Sequence, residues 1–232
     1  MSNIAENIKD ILNNISISAQ KTGRDKNDIE LIAVSKTKPV SDLMEAYNFG
    51  VRDFGENYVQ ELTDKIPQMP DDVRWHMIGH LQTNKVKYIV GKVYMIHSVD
   101  SFKLAKEISK ESIKHDITTK ILVEINVAGE ESKFGTSDMD FNKNLVKEIS
   151  ELPNIEICGL MTIAPYTNDS ETNREYFKAL YNLSKDEEIA ALLPNTPCLS
   201  MGMSGDYQVA VEEGATFVRV GSSIFGERNY NK

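Results

Sequence analysis

The chain has little cysteine and no long apolar run. Its 232 residues include two cysteines, Cys158 and Cys198, which form neither a CxxC pair nor a metal-ligand pattern. Because both stand in apolar surroundings, we expect buried free thiols, as in a reducing cytoplasm. No apolar run approaches the length that spans a bilayer, and acids interrupt residues 1–10, where a secretion signal needs an apolar core. The sequence therefore predicts a cytoplasmic protein without a membrane segment or a metal site.

Basic residues are also scarce relative to acidic ones. The chain has 35 Asp and Glu against 26 Lys and Arg, which gives a formal net charge of -9. Since nucleic-acid binding depends on basic side chains against phosphates, this balance argues against a nucleic-acid partner. Hydrophobic residues make up 41% and charged residues 26%, which is ordinary for a globular protein. Length and composition together predict a single domain over residues 1–232.

Strand-like and helix-like segments alternate along the chain. Residues 3–20 place isoleucines on one face and predict an amphipathic helix. The helix-like segment at 41–50 has Ser41 as its expected N-cap and Gly50 as its expected C-cap. Strand-like runs lie at 29–35, around 51–54, and at 74–79, 93–97, 120–127, 155–161, 198–201 and 216–221.

This alternation predicts parallel strands covered by helices. Eight such units in 232 residues predict a (β/α)8 TIM barrel, with the first helix as an extra element. A doubly wound open sheet is the alternative, but no glycine-rich dinucleotide fingerprint follows the first strand. In a barrel, functional side chains gather at the C-terminal ends of the strands.

A lysine stands at the end of the first strand. In "IELIAVSKTKP" (29–39), Lys36 follows an apolar, β-branched run, and Pro39 rules out a simple continuation of that strand. A lone lysine here is most simply a surface side chain that packs its stem on a loop. A desolvated lysine can instead form a Schiff base with a carbonyl compound. Lys38 lies two residues further on, and nearness to the strand end favours Lys36 only slightly.

Serine and glycine follow the seventh and eighth strands, where this fold commonly binds a phosphate. Gly221 lets the backbone approach an anion closely, and Ser222 and Ser223 offer hydroxyls and amides. Ser204 opens a short helix whose N-terminus favours an anion. A plain helix cap by Ser204 is the simpler interpretation, and it is compatible with phosphate binding because both use the same geometry.

Arg219 interrupts the apolar strand from Phe217 to Val220. Pointing outwards, it would need an acidic partner on a helix, and acids are plentiful here. Pointing inwards, it would stand near a phosphate bound at Gly221, where its guanidinium can hydrogen-bond a ring nitrogen. A lysine for an aldehyde, an arginine for a pyridine nitrogen and a phosphate loop together suit pyridoxal 5'-phosphate.

Six ordered motifs carry a family resemblance over nearly the whole chain. They are "AVSKTKP" (33–39), "FGENYVQE" (54–61), "WHMIGHLQTNKVK" (75–87), "GLMTIAP" (159–165), "LSMGMSGD" (199–206) and "VRVGSSIFGER" (218–228). With them the chain resembles the pyridoxal-phosphate homeostasis proteins, a family similar in fold to the barrel domain of alanine racemase. The resemblance implies that Lys36 carries the cofactor and that Arg219 faces its pyridine nitrogen.

The resemblance also suggests roles for other residues in these motifs. Ser204, Gly221 and Ser222 would hold the phosphate, with Ser200 a weaker candidate. Asn57 would line the mouth near the ring, although capping the following helix is its simpler role. His80 is a proton shuttle or, more simply, a loop histidine.

These features favour a carrier over an enzyme. A racemase needs acid/base groups on both faces of the substrate carbon, and related racemases are understood to take a tyrosine from another domain across a dimer. We expect no such domain here, and an arginine at the ring nitrogen weakens the cofactor as an electron sink. The resemblance therefore implies a protein that holds pyridoxal 5'-phosphate as a Lys36 imine and acts in vitamin B6 homeostasis, either by buffering the cofactor or by delivering it to apo-enzymes. Because no partner domain is required, we expect a monomer. A weak amino-acid racemase is the alternative, and a phosphometabolite enzyme is a third.

Overall fold

Eight parallel strands close into a barrel in chain order, and β1 completes the ring by pairing with β8. The structure, a computed structural model, describes residues 3–129 and 138–227. The strands are β1 (Glu30–Val34), β2 (Asp53–Glu56), β3 (Arg74–Met77), β4 (Met95–Val99), β5 (Thr119–Glu124), β6 (Ile155–Met161), β7 (Cys198–Met203) and β8 (Phe217–Val220). The predicted (β/α)8 barrel is confirmed, and the open-sheet alternative is wrong.

Helices cover the outside of the barrel. The described α-helices are α1 (Ile4–Lys21), α2 (Val40–Phe49), α3 (Val59–Lys65), α4 (Phe102–Lys114), α5 (Met139–Ser150), α6 (Arg174–Ser184), α7 (Glu187–Ala190), α8 (Tyr207–Glu212) and α9 (Ser222–Phe225). After β3 the connection is a 3-10 helix, Thr83–Tyr88, rather than an α-helix. β2 and β4 begin two residues later than predicted, because Val51 and Val93 pack on the core before strand pairing starts.

Helix α1 is the predicted extra N-terminal helix. Its N-cap is Asn3, whose side chain accepts a hydrogen bond from the Glu6 amide. The helix buries an isoleucine face and packs against α2, α8 and α9, beside the seam between β1 and β8. Each buried isoleucine stabilises the fold by about 1.5–3 kcal/mol relative to an exposed one. The helix therefore covers the point where the first and last units of the barrel meet.

The predicted N-cap of α2 is wrong, whereas its predicted C-cap is confirmed. α2 begins at Val40 with Pro39 as N-cap, and no side chain caps its first turn. Ser41 lies inside that turn, and its hydroxyl donates to Asp42 Oδ1 at 3.4 Å. Proline takes the boundary because its ring fixes φ and it has no amide to satisfy. Gly50 ends the helix with φ of 122°, a conformation that suits glycine.

The two cysteines are free, as predicted. Cys158 is buried and Cys198 is half-buried. Burial raises the pKa of the Cys158 thiol to about 12, so this thiol is protonated and unreactive at neutral pH. Within residues 3–129 and 138–227, no helix is both long and apolar enough to cross a membrane. In the same residues, no group of three or more His, Cys, Asp or Glu side chains is placed to hold a metal ion.

Candidate cofactor site

The C-terminal ends of the strands surround a cavity of about 690 Å³, a usual size for a small-molecule site. It lies where the fold places its functional residues. Six of the seven residues predicted to bind the cofactor line this cavity: Lys36, Asn57, Ser204, Arg219, Gly221 and Ser222. The structure thus brings together residues from the ends of β1, β2, β7 and β8.

The structure distinguishes the two lysines that follow β1. Lys38 donates through Nζ to the backbone carbonyls of Phe225, Gly226 and Glu227, at 2.8, 3.1 and 3.1 Å. These bonds hold its ammonium against the C-terminal end of α9. Lys36 lines the cavity instead. Lys36 is therefore the lysine placed to meet a ligand, a choice that sequence position alone made only weakly.

Arg219 points inwards, so the outward alternative is wrong. Only 4% of the residue is exposed. Its Nη1 donates to Ser200 Oγ at 2.6 Å, and its Nη2 donates to the Thr162 carbonyl at 2.8 Å. Burial lowers the pKa of Arg219 to about 10, and the nearby charge of Glu124 opposes that effect. The guanidinium therefore stays protonated at neutral pH. Its hydrogen bonds to Ser200 and Thr162 hold it at one wall of the cavity.

Ser200 does not line the cavity, although it was a candidate phosphate ligand. It is fully buried on β7, and its hydroxyl lies between Arg219 and His97 Nδ1, the latter at 2.9 Å. His97 Nε2 in turn lies 2.9 Å from His76 Nδ1, and His76 Nε2 lies 2.9 Å from Asp53 Oδ1. Ser200 therefore positions Arg219 and begins a hydrogen-bonded chain through the barrel interior.

The donor and the acceptor of each bond in this hydrogen-bonded series follow from the groups at its two ends. The Asp53 carboxylate only accepts, so His76 donates from Nε2 and accepts at Nδ1. His97 then donates from Nε2, accepts at Nδ1 from the Ser200 hydroxyl, and leaves Ser200 Oγ to accept from Arg219. Each histidine is neutral in this arrangement. Burial lowers the pKa of His76 and of His97, in agreement with neutral rings.

The end of this hydrogen-bonded series opposite Ser200 consists of charged side chains. Asp53 accepts from Arg74 Nε at 2.8 Å as well as from His76. Burial would raise the pKa of Asp53, but the hydrogen bonds from His76 and Arg74 outweigh burial and lower it. Sequence reasoning missed His76 and His97. The available signal was a polar residue inside each of two apolar strands, "RWHM" and "MIHSV".

Ser204 joins the two loops of the predicted phosphate site. Its Oγ accepts hydrogen bonds from the Gly221 amide at 3.1 Å and the Ser223 amide at 3.5 Å. The expectation that it caps α8 is wrong, since the N-cap of α8 is Asp206. Asp206 is itself bound to the Met203 amide and to Asn173 Nδ2. The Ser204 hydroxyl oxygen therefore already accepts from backbone amides of the kind that bind phosphate oxygens.

Asn57 lines the cavity mouth and does not cap the helix that follows it. The N-cap of α3 is Tyr58, which makes no side-chain cap bond. Asn57 Oδ1 is buried and accepts no hydrogen bond from the described residues. A Cβ on Gly79 would lie 2.5 Å from the Asn57 carbonyl oxygen, which explains a glycine at this point of the third motif. His80 lies outside this cavity, with Nδ1 3.3 Å from Asp100 Oδ2.

Comparison with known proteins identifies the family of this chain. The family model described as "Alanine racemase, N-terminal domain" matches residues 7–229. The Pyridoxal phosphate homeostasis protein of Aquifex aeolicus (strain VF5) is 45% identical over 229 residues, covering 98% of this chain and 100% of that protein. The chain belongs to the pyridoxal phosphate homeostasis protein family. The human member is 43% identical over 216 residues, covering 87% of this chain and 78% of its own length.

Solved structures place the family on the same barrel. PipY of Synechococcus elongatus PCC7942, with PLP bound, has a TM-score of 0.81 and 33% identity, covering 97% of this chain and 100% of PipY. Alanine racemase from Clostridium difficile 630, in complex with cycloserine, has a TM-score of 0.74 at 14% identity, covering 97% of this chain and 61% of the racemase. At that identity the racemase shows a shared fold alone.

Proposed function

We propose that this chain binds pyridoxal 5'-phosphate as a Schiff base on Lys36 and serves intracellular vitamin B6 homeostasis. The observation that carries the proposal is one cavity lined by Lys36, Arg219 and the Gly221–Ser222 turn. These groups match the aldehyde, the ring nitrogen and the phosphate of that cofactor. PipY, 33% identical, was solved with PLP bound, and this supports the assignment.

The residues present fit the cofactor at each of its polar ends. Ser222 supplies an amide and a hydroxyl for the phosphate, and Ser204, which accepts from the Gly221 amide, supplies a second hydroxyl. A Cβ on Gly221 would lie 3.2 Å from the Val34 carbonyl oxygen, so glycine allows the loop to pack closely against β1. Asn57 Oδ1, buried at the mouth, is available as an acceptor for a ligand group.

Arg219 favours carrying over catalysis. When bound, pyridoxal 5'-phosphate supplies an aldehyde for imine formation and a pyridine ring that can withdraw electrons. A protonated guanidinium at the ring nitrogen donates a hydrogen bond but does not readily give up its proton. The ring nitrogen of a bound cofactor would therefore stay unprotonated, which would weaken electron withdrawal. The curated relatives are named for homeostasis and not for an enzymatic reaction, which supports the same role.

The proposed role includes transfer of the cofactor. Because hydrolysis of an imine returns the lysine amine and the free aldehyde, a protein that holds the aldehyde on Lys36 would buffer its free concentration and could release it to apo-enzymes. The cavity lies at the C-terminal face of the barrel. We propose a cytoplasmic protein that acts as a monomer.

The first prediction concerns Lys36. Protein incubated with pyridoxal 5'-phosphate and then desalted to remove unbound cofactor should retain an absorbance band beyond the protein band, and Lys36→Ala should abolish it because the imine nitrogen is lost. Lys38→Ala is the matched control and should keep the band. Borohydride reduction followed by peptide mass mapping should place the modification on Lys36. A band that persists in Lys36→Ala would refute the proposal.

The racemase alternative has one structural observation in its favour. Tyr166 lines the cavity with 94% of the residue exposed, so a phenol from this chain stands at the mouth. Such a group could act on the second face of a substrate carbon. Rapid exchange of the α-proton of D- or L-alanine in deuterated water, abolished by Lys36→Ala and by Tyr166→Phe, would favour the enzyme. We expect no such exchange.

A further inference from the structure

Lys36 stands in a tight turn whose backbone is constrained. The turn runs from Ser35 to Lys38 and is closed by a hydrogen bond from the Lys38 amide to the Ser35 carbonyl at 3.1 Å. Thr37 has a φ of 65°, in the left-handed region that glycine usually occupies. A threonine keeps that conformation only where its surroundings impose it. The turn therefore depends on contacts from outside itself.

Those contacts come from a charged group beneath the turn, the Lys65 cluster, which consists of Lys65, Glu56 and Glu61. Lys65 Nζ donates to Glu56 Oε1 at 2.8 Å and to Glu61 Oε1 at 2.6 Å. The side chains of Lys65 and Glu56 are 7% and 0% exposed, and that of Glu61 is 22% exposed. Buried charges are costly unless each is paired and hydrogen-bonded, so the cluster fixes the positions of its members.

The Lys65 cluster holds the residues on both sides of Lys36. On one side, Ser35 Oγ donates to Glu56 Oε1 at 2.6 Å, and Lys65 Nζ donates to the Ser35 carbonyl at 2.8 Å. On the other side, the Thr37 amide donates to Glu61 Oε1 at 2.6 Å. Each carboxylate thus links Lys65 to one neighbour of Lys36. The anchors are made by the residues beside Lys36, while Lys36 itself lines the cavity.

We propose that the Lys65 cluster is a positioning device that holds the Lys36 turn so that the lysine amine meets the cofactor aldehyde. This rests on the proposed function. It gives a reason for the motif "FGENYVQE", which supplies both glutamates from β2 and the first turn of α3. Glu61 has the most direct role. Its hydrogen bond to the Thr37 amide keeps Thr37, the residue after Lys36, in its left-handed backbone conformation.

A purely structural role makes a different prediction. If the cluster only joined α3 to β2, its loss would weaken the binding of every ligand of the cavity to the same extent. A positioning role affects the reaction of the amine and spares binding that needs no amine. Pyridoxine 5'-phosphate separates the two, because it keeps the ring and the phosphate but has no aldehyde.

The test compares three variants of α3 with the wild-type full chain. Stopped-flow absorbance gives the rate of imine formation with pyridoxal 5'-phosphate, and fluorescence titration gives the affinity for pyridoxine 5'-phosphate. Glu61→Ala should slow imine formation by roughly tenfold or more, since misplacement of a reacting group by about 1 Å can cost that much. Its affinity for pyridoxine 5'-phosphate should stay within about twofold of wild type, because the phosphate contacts are intact.

Two further variants keep the result interpretable. Glu61→Gln retains an oxygen that accepts from the Thr37 amide, so it should recover most of the rate. Asp64→Ala is the matched control on α3, because within residues 3–129 and 138–227 that carboxylate accepts only from the exposed Gln60 side chain. It should behave as wild type.

Three outcomes would overturn the inference. Glu61→Ala could form the imine at the wild-type rate, or it could lose rate and pyridoxine 5'-phosphate affinity in parallel. In both cases the wild-type band would remain, so the proposed function would stand without the positioning role. If wild-type protein formed no imine, the proposed function would fail and this inference with it.

Discussion

Ser200 shows how one hydroxyl determines the environment of a charged residue. It accepts from Arg219 Nη1 and donates to His97 Nδ1, and both partners are buried. The hydroxyl is suited to this place because it can donate and accept at once. An alanine would leave the arginine and the histidine each short of a partner in a region without bulk water.

We therefore predict that Ser200→Ala lowers the free energy of unfolding by about 1–3 kcal/mol for each partner left unsatisfied. Urea unfolding of the cofactor-free protein measures the loss. Ser109→Ala is the control, because that buried hydroxyl has a single described bond, to the Pro153 carbonyl at 2.6 Å. It should cost about 1 kcal/mol. A loss in Ser200→Ala no larger than in Ser109→Ala would contradict the prediction.

Among the elements, β6 and β7 pack closely at Gly159, which pairs with Cys198. The ladder between β5 and β6 pairs Ile121 with Ile157 and then Leu122 with Gly159, so Cys158 is bulged. A Cβ on Gly159 would lie 1.9 Å from the Cys198 carbonyl oxygen of β7. Because that atom belongs to the backbone of a paired strand, it has no side-chain freedom with which to move away.

Gly159→Ala should consequently lower the free energy of unfolding by about 3 kcal/mol, as expected when a rigid neighbour must shift. Gly205→Ala is the comparison, because nothing lies within 4 Å of an added Cβ there. Its effect should stay within about 0.5 kcal/mol. Chemical denaturation measures both variants. Equal free energies of unfolding for the two variants would show that β6 and β7 can move apart without loss of stability, which would contradict the prediction.

For the whole molecule, buried titratable groups have opposing effects on stability near neutral pH. His76 and His97 are neutral in the folded protein, whereas in the unfolded chain they take up protons below their ordinary pKa of 6.5. This uptake lowers stability as the pH falls. Burial raises the pKa of Glu124 from 4.5 to about 7, so below that pH the folded protein takes up a proton there. That uptake raises stability as the pH falls.

Glu124→Gln removes the favourable proton uptake and leaves the histidines unchanged. The free energy of unfolding should therefore fall more steeply between about pH 7 and about pH 5 than in wild type, by up to about 1.4 kcal/mol per pH unit. Urea titrations across that range give the slope. Glu148→Gln, on the exposed face of α5, is the matched control. A Glu124→Gln profile parallel to wild type would contradict the assignment.

Several features of the site could be predicted from local sequence. Alternating elements predicted the barrel, and the strand ends placed Lys36, Arg219 and Gly221 at the same face, since a parallel barrel presents all its strand ends together. The predicted N-caps are wrong at three helices. Ser41, Asn57 and Ser204 are each a favoured N-cap residue at a plausible position, yet none caps its helix. Cap preference reports what a residue can do, whereas tertiary contacts decide which partner it takes.

The sequence by itself determined the barrel, a lysine at the end of the first strand and an arginine within an apolar strand, because apolar periodicity and position along a strand are local properties. Only the tertiary structure decided which groups hold them. His97 and Ser200 are 103 residues apart, and Lys65 and Ser35 are 30 apart. Such pairs meet because barrel closure sets the register of every strand, and no local pattern encodes that register.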